Sequence, residues 1–131
     1  MDELLALSAA RAITYLRGIV DRSVFPDAEA VEGLTEFVQT LPLEGAEPGA
    51  VIDLLDRVGS PATVATTGGR YFGFVTGGAF PVGIAASWLS AVWDQNAALG
   101  VMSPTAAVLD TVVGGWLVKL LGLPVGSQHS S

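Results

Sequence analysis

The sequence feature that most constrains this chain is a run from Tyr71 to Trp93 without a single charged side chain. Its beginning is rich in aromatic residues and glycines, in the order Arg70-Tyr71-Phe72-Gly73-Phe74-Val75-Thr76-Gly77-Gly78. The aromatic rings supply apolar surface, and the glycines leave a backbone that another group can approach closely. A plain core strand or helix would need no such glycines. The stretch therefore predicts the wall of an apolar pocket.

Composition predicts a single core with surface left over. A chain of 131 residues has room for one domain. Its hydrophobic share of 50% and charged share of 15% lie on the apolar side of ordinary usage, which predicts surface for a partner or for another part of the same protein. Eleven of the thirteen acids lie between Asp2 and Asp56, so we expect the first third to be solvated and the remainder buried or partnered.

Charge and residue inventory exclude several function classes. A net charge of −7 with scattered Lys and Arg argues against nucleic-acid binding. The absence of cysteine removes disulfides, thiol nucleophiles and Cys-type zinc sites and fits a reducing compartment. The N-terminal residues lack the basic region of a secretory signal, so we expect a cytoplasmic protein.

The uncharged run is also long enough to span a bilayer. Glycines and Pro81 would interrupt a spanning helix, and no Lys/Arg asymmetry would orient one. We therefore favour no membrane partner and keep a membrane hairpin as the less favoured alternative.

Apolar periodicity predicts three amphipathic helices in the first half of the chain. The first runs from about Asp2 to Val20. The second follows an N-cap at Asp27 and continues to Leu41 before Pro42, and the third runs from Pro48 to Val58 with Gly59 as a C-cap.

The second half is predicted to contain an extended segment followed by two apolar helices. Residues 71–75 are short and rich in strand formers, so we expect extended, irregular backbone. One helix begins at Pro81 and ends near Asp94-Gln95-Asn96. The last has Ser103 as its N-cap and Gly122 as its C-cap.

Catalytic templates are few. The single histidine, His129, lies in a polar tail that we expect to be disordered, so the body of the chain offers no Ser-His-Asp arrangement and no His-based metal site. Asp94 and Asp110 are lone acids in an apolar region, where burial would raise their pKa values. A helix-end position for Asp94 and a structural partner for Asp110 are the interpretations we favour, and we expect no catalytic or metal-binding residue.

The aromatic-glycine stretch belongs to a longer pattern that resembles a known family. The pattern continues through Pro81, Trp88-Leu89, Trp93-Asp94-Gln95-Asn96, Ser103-Pro104, Trp116-Leu117 and Leu121-Gly122-Leu123-Pro124. It resembles the N-terminal part of the pyridoxal-phosphate-dependent (group II) decarboxylases, which include aromatic-amino-acid, glutamate and histidine decarboxylases. The likeness covers most of the chain and is densest from Ser60 to Pro124.

This resemblance implies a mainly α fold. It would comprise the N-terminal helical dimerisation segment and the first helices of the large domain of an aspartate-aminotransferase-type (fold type I) enzyme, truncated before the cofactor-binding sheet. The implied organisation is a set of dimerisation helices at 1–67, a substrate-pocket loop at 68–81, two apolar helices at 82–124 and a polar tail at 125–131.

The resemblance also implies roles for particular residues. Five would line the substrate pocket or lead into it: Tyr71, Phe72, Phe74, Val75 and Thr76. Asn96 and Ala98 fall where family members present residues to the active site of the neighbouring subunit. Asp110 stands where a Glu is more usual. For each of these residues core packing is the rival interpretation.

The chain contains a single lysine, which limits the cofactor chemistry that it could carry out alone. A pyridoxal-phosphate enzyme needs a Schiff-base lysine, and the only lysine, Lys119, fits better as a cation at a helix C-terminus. We therefore expect no binding of pyridoxal phosphate by this chain. The resemblance implies a fragment of an amino-acid decarboxylase (a carboxy-lyase) that pairs as a homodimer or with the missing cofactor domain. A non-catalytic helical self-association module is the alternative, and the amino-acid substrate stays open.

Overall fold

The computed structural model describes residues 1–76, 78–124 and 126–127. Within them the chain is mainly helical and contains no strand, which confirms the mainly α prediction. The elements are α1 (Asp2–Gly18), α2 (Ala28–Gly33) with a 3₁₀ turn (Leu34–Phe37), α3 (Pro48–Leu54) with a π-helical turn (Leu55–Gly59), α4 (Pro81–Trp93) and α5 (Pro104–Leu121). Gly77, Val125 and residues 128–131 lie outside the described residues, and with them His129 and most of the predicted polar tail.

The chain divides into two compact units, one of residues Met1–Ala79 and one that begins at Phe80. In the first unit, α1 begins with Asp2 and Glu3 and carries Arg17 in its last turn, charges that suit the helix dipole. The helix ends at Gly18, slightly before the predicted Val20. The amides of Asp21 and Arg22 both donate to the Gly18 carbonyl there, which closes a turn.

The second helix is shorter than predicted. Asp27 caps it as expected, because its Oδ1 accepts from the Ala30 amide at 2.8 Å. The helix tightens into the 3₁₀ turn and ends at Phe37, so the prediction of a helix to Leu41 is wrong. Thr35 Oγ1 donates to the Glu32 carbonyl and Gln39 Nε2 to the Glu36 carbonyl, both at 2.8 Å. These side chains occupy carbonyls that a continuing helix would pair with backbone amides.

The third helix begins at Pro48 as predicted, but its end differs. The helix widens into the π-helical turn, and the following residue, Ser60, stays right-handed with φ −57°. Gly59 is therefore the last residue of that turn and not a left-handed C-cap, so this prediction is wrong. A Cβ on Gly59 would meet Phe37 Cζ at 3.7 Å, which is ordinary packing contact.

The buried apolar residues of the described chain all lie in the first unit. They are Ile19, Val58 and Ala65. Around them, ion pairs join α1 to α3 and the π-helical turn: Arg11 Nη2 lies 2.5 Å from Asp53 Oδ1, and Arg11 Nη1 lies 3.2 Å from Asp56 Oδ2. The first unit is thus a small core with polar crosslinks at its rim.

The second unit contains α4 and α5, and their ends confirm the local predictions. Pro81 and Pro104 occupy the first turns of the two helices. Ser103 Oγ accepts from the Ala106 amide at 3.4 Å. Both helices end in the left-handed conformation, α4 at Asp94 with φ 48° and α5 at Gly122 with φ 63°.

Apolar side chains of the second unit remain in solvent. Ser103 is its one buried residue in the described ranges. The eighteen residues of α5 have a mean hydropathy of 1.3 with none buried, so by length and composition alone this helix could cross a membrane. Helix α4, with thirteen residues, is shorter.

The total accessible surface is large for the chain length. It measures 10649 Å². Two separate compact bodies of the sizes of these units would expose only about 7800 Å². The difference includes the exposed apolar side chains of α4 and α5.

Candidate functional site: the aromatic loop

Residues 71–76, here called the aromatic loop, form a tight turn. The Thr76 amide donates to the Gly73 carbonyl at 3.3 Å, and Thr76 Oγ1 donates to the same oxygen at 3.2 Å. The two central residues, Phe74 and Val75, have φ values of 52° and 57°. The prediction of extended backbone therefore fails at these two positions, because the turn requires the left-handed region that strand formers avoid.

The turn is strained. Left-handed backbone is uncommon for any residue with a side chain and is an outlier for a β-branched residue such as Val75. Each such position costs on the order of 1–3 kcal/mol. Gly73, which could adopt this conformation freely, instead occupies the first position of the turn, before the two left-handed residues. Strain of this kind is characteristic of functional loops whose shape is fixed by surrounding contacts.

In the described part of the first unit, few contacts surround the side chains of the aromatic loop. The exposed fractions are 93% for Phe72, 91% for Phe74 and 104% for Val75. Tyr71 is half-buried and folds back on Gly73, so that a Cβ on Gly73 would lie 2.9 Å from the Tyr71 hydroxyl oxygen. A side chain at position 73 would therefore force the Tyr71 ring to move. The loop presents three apolar side chains and one polar one, Thr76, to solvent.

The other two site residues belong to the second unit. Asn96 and Ala98 lie in the connection between α4 and α5 and are exposed. Asn96 Oδ1 accepts from the Ala98 amide at 3.1 Å, which makes a short side-chain turn. The structure thus brings Asn96 and Ala98 together, while the five residues predicted to line the pocket form a separate cluster in the first unit.

The lone acids of the apolar half are also exposed. Asp94 is the C-cap of α4, as the helix-end interpretation predicts, and Asp110 lies on α5. The burial on which a carboxylate-pair hypothesis depends is therefore absent. Within the described ranges, no group of three His, Cys, Asp or Glu residues is placed to hold a metal ion.

Lys119 is the one residue that could form a Schiff base. It lies in the last turn of α5 beside a shallow hollow of 510 Å³ that it lines with Trp116 and Leu120. A pyridoxal-phosphate site also needs an acid against the ring nitrogen and donors for the phosphate. The acid on the same helix, Asp110, is about 13 Å away along the helix axis. The residues around Lys119 therefore do not fit this cofactor.

A groove that sequence reasoning missed runs along α1. It has a volume of 460 Å³ and is lined by Arg11, Tyr15 and Arg22 of the α1 region together with residues of the π-helical turn. Arg22 lies over the Tyr15 ring, with its Cζ 5.3 Å from the ring centroid. Its Nη2 also donates to the carbonyls of Pro61 and Thr63, at 2.9 and 2.6 Å.

No local signal could have identified these contacts, because the partners are about forty residues apart in sequence. Arg11 and Arg57 of this groove form ion pairs within the first unit, and Arg22 donates to backbone carbonyls. We therefore interpret the contacts of Arg22 as a structural crosslink between the α1 region and the 60–63 turn.

The ion pair between Arg57 and Glu36 shifts the pKa values of both side chains. Arg57 donates two hydrogen bonds to the Glu36 carboxylate, at 3.1 and 2.8 Å. These bonds, with the attraction between the charges, lower the pKa of Glu36 and raise that of Arg57. Both side chains remain about half exposed, so solvent screens the pair.

Comparisons of the chain with protein-family models, with curated proteins and with solved structures found no match.

Proposed function

We propose that this chain is the N-terminal part of a pyridoxal-phosphate-dependent amino-acid decarboxylase of the group II type. In this proposal the aromatic loop forms one wall of the substrate pocket, and the helices contact a second subunit and the cofactor domain. That domain, with the aspartate-aminotransferase-type sheet and the Schiff-base lysine, comes from a further region of the protein or from a separate chain.

The observation that carries the proposal is the uncovered apolar surface. Helix α5 exposes large apolar side chains along its length, among them Leu109, Val113, Trp116 and Leu120. A helix that is apolar on most of its circumference is normally covered on several sides. A domain that packs over α4 and α5 would supply that cover.

The aromatic loop supports the same proposal. Its apolar side chains point into solvent on a strained turn, as expected for one wall of a pocket whose opposite wall is missing. Thr76 would add a single polar contact to the substrate side chain. The carbanion chemistry of a decarboxylase belongs to the cofactor, so the contribution of this chain is to bind the substrate side chain and to exclude water.

The exposed apolar faces also favour a second candidate, a helical module that self-associates without a cofactor. A stable dimer of this module would need only the exposed apolar side chains of α4 and α5. The two candidates differ in what completes the fold: a second copy for the module, and a lysine-bearing domain for the decarboxylase.

The deciding experiment begins with the DNA downstream of the segment that encodes residue 131. If it encodes a lysine-bearing domain, in frame or shifted, the two parts are co-expressed and purified with pyridoxal phosphate. We expect a stoichiometric complex with a Schiff-base absorbance band, carried by a lysine outside this chain. A well-folded dimer of residues 1–131, with no such coding sequence nearby, would contradict the decarboxylase and favour the module.

A further inference from the structure

The residue directly before the aromatic loop is tied to the end of α1. Arg70 Nη2 donates to the Val20 carbonyl at 2.9 Å and also to the Arg22 carbonyl. Both acceptors lie just past the last helical residue, Gly18, where carbonyls lack helical partners. A guanidinium suits this position because it stays charged and presents several donors in one plane.

Other contacts hold the same two segments together. The Ala65 amide donates to the Val24 carbonyl at 2.9 Å, and Ile19 and Ala65 are both buried. Gly68 lies against the end of α1, since a Cβ there would come within 3.6 Å of Ile19 Cγ1 and 3.7 Å of the Ile19 carbonyl oxygen. The chain up to Gly68 is therefore fixed on α1 without Arg70. Gly69 and Arg70 lead from there into the loop, where the Tyr71 amide donates to the Gly68 carbonyl at 3.3 Å.

We propose that Arg70 is a positioning residue for the aromatic loop: by binding the carbonyls at the end of α1, it makes the orientation of the loop depend on that helix end. The inference deepens the proposed function and rests on it for the role of the loop as a pocket wall. Arg22 extends the coupling, because its carbonyl accepts from Arg70 while its side chain binds the 60–63 turn.

The test is amide hydrogen exchange and NMR of the full chain, which need neither substrate nor cofactor. We expect Arg70→Ala to raise the exchange rates of the Tyr71 and Thr76 amides by roughly tenfold or more and to shift the loop resonances. The Ala65 amide and the α1 signals should stay unchanged. Arg70→Lys should restore part of the protection, since one ammonium can reach both carbonyls. Arg17→Ala, at an exposed arginine near the same helix end, is the matched control.

Two results would overturn the inference. Loop amides that exchange at the wild-type rate in Arg70→Ala would show that Arg70 does not hold the loop. Equal acceleration at Ala65, α1 and the loop would show that Arg70 only stabilises the whole unit. If Arg70→Ala does not fold, Arg70→Lys is judged by the same comparison of loop with helix. Failure to find a cofactor domain would contradict the proposed function and leave these measurements standing.

Discussion

At the scale of single residues, the least expected feature is a valine in left-handed backbone. Val75 combines φ 57° with complete exposure, so its side chain contributes no packing energy in the described structure to offset the strain. Conformational strain without compensating contacts is a quantity that substitution can measure directly.

We expect Val75→Gly to stabilise the first unit by about 1 kcal/mol, because the strain relieved exceeds the extra entropy that glycine loses on folding. Urea denaturation followed by circular dichroism measures the difference. Val38→Gly is the matched control, since Val38 is also exposed but has φ −81° and should lose stability. A Val75→Gly variant as destabilised as the control would show that the turn carries no strain.

The Glu36–Arg57 pair gives a prediction for pH. The folded pKa of Glu36 is lowered, so the pair stabilises the fold fully above the ordinary glutamate pKa of about 4.3 and loses this contribution as pH falls through the lowered folded value. Carboxyl-carbon NMR should therefore show Glu36 titrating below the usual range. In Arg57→Gln the midpoint of the Glu36 titration should move to higher pH, and molar salt should produce part of the same change in the wild-type protein. An unchanged midpoint in Arg57→Gln would assign the shift to another cause.

At the scale of elements, helix starts were predictable and irregular turns were not. Asp27, Pro81 and Ser103 act through neighbouring amides or through their own ring geometry, so local sequence identifies them. The side-chain contacts of Arg57 on the π-helical turn and of Arg70 join residues 21 to 50 positions apart, which local patterns do not encode. The left-handed Phe74-Val75 turn opposes local propensity and could not be read from it.

The Asp27 cap can be tested by removal. We expect Asp27→Ala to destabilise the first unit by about 1 kcal/mol, because the Ala30 amide loses its acceptor. Glu32→Ala, at an exposed position of the same helix, should change stability little. Denaturation curves of the two variants give the comparison. Equal effects would mean that α2 is held by its packing and not by its cap.

At the scale of the whole molecule, the exposed apolar side chains of α5 lead us to expect self-association. Trp116 and Leu120 lie four residues apart on one face of α5 and are both exposed. We expect the double substitution Trp116→Ser with Leu120→Ser to lower self-association while changing stability by less than about 0.5 kcal/mol. Sedimentation and urea denaturation measure the two effects.

Thr105→Ser, an exposed polar change on the same helix, is the control for that experiment. A loss of about 3–5 kcal/mol in the double variant would mean that this face is packed inside the folded chain. Sedimentation with membranes that persists in the double variant would instead favour the bilayer as the partner of α5.

The extra residue of the π-helical turn constrains how the gene can vary. Asp56 on this turn meets Arg11, and its neighbour Arg57 meets Glu36 on the other side. Deleting one residue from Leu55–Gly59 would restore ordinary helix but rotate everything downstream by about 100°. Related genes should therefore keep the length of this turn and accept insertions in the exposed connection 42–47.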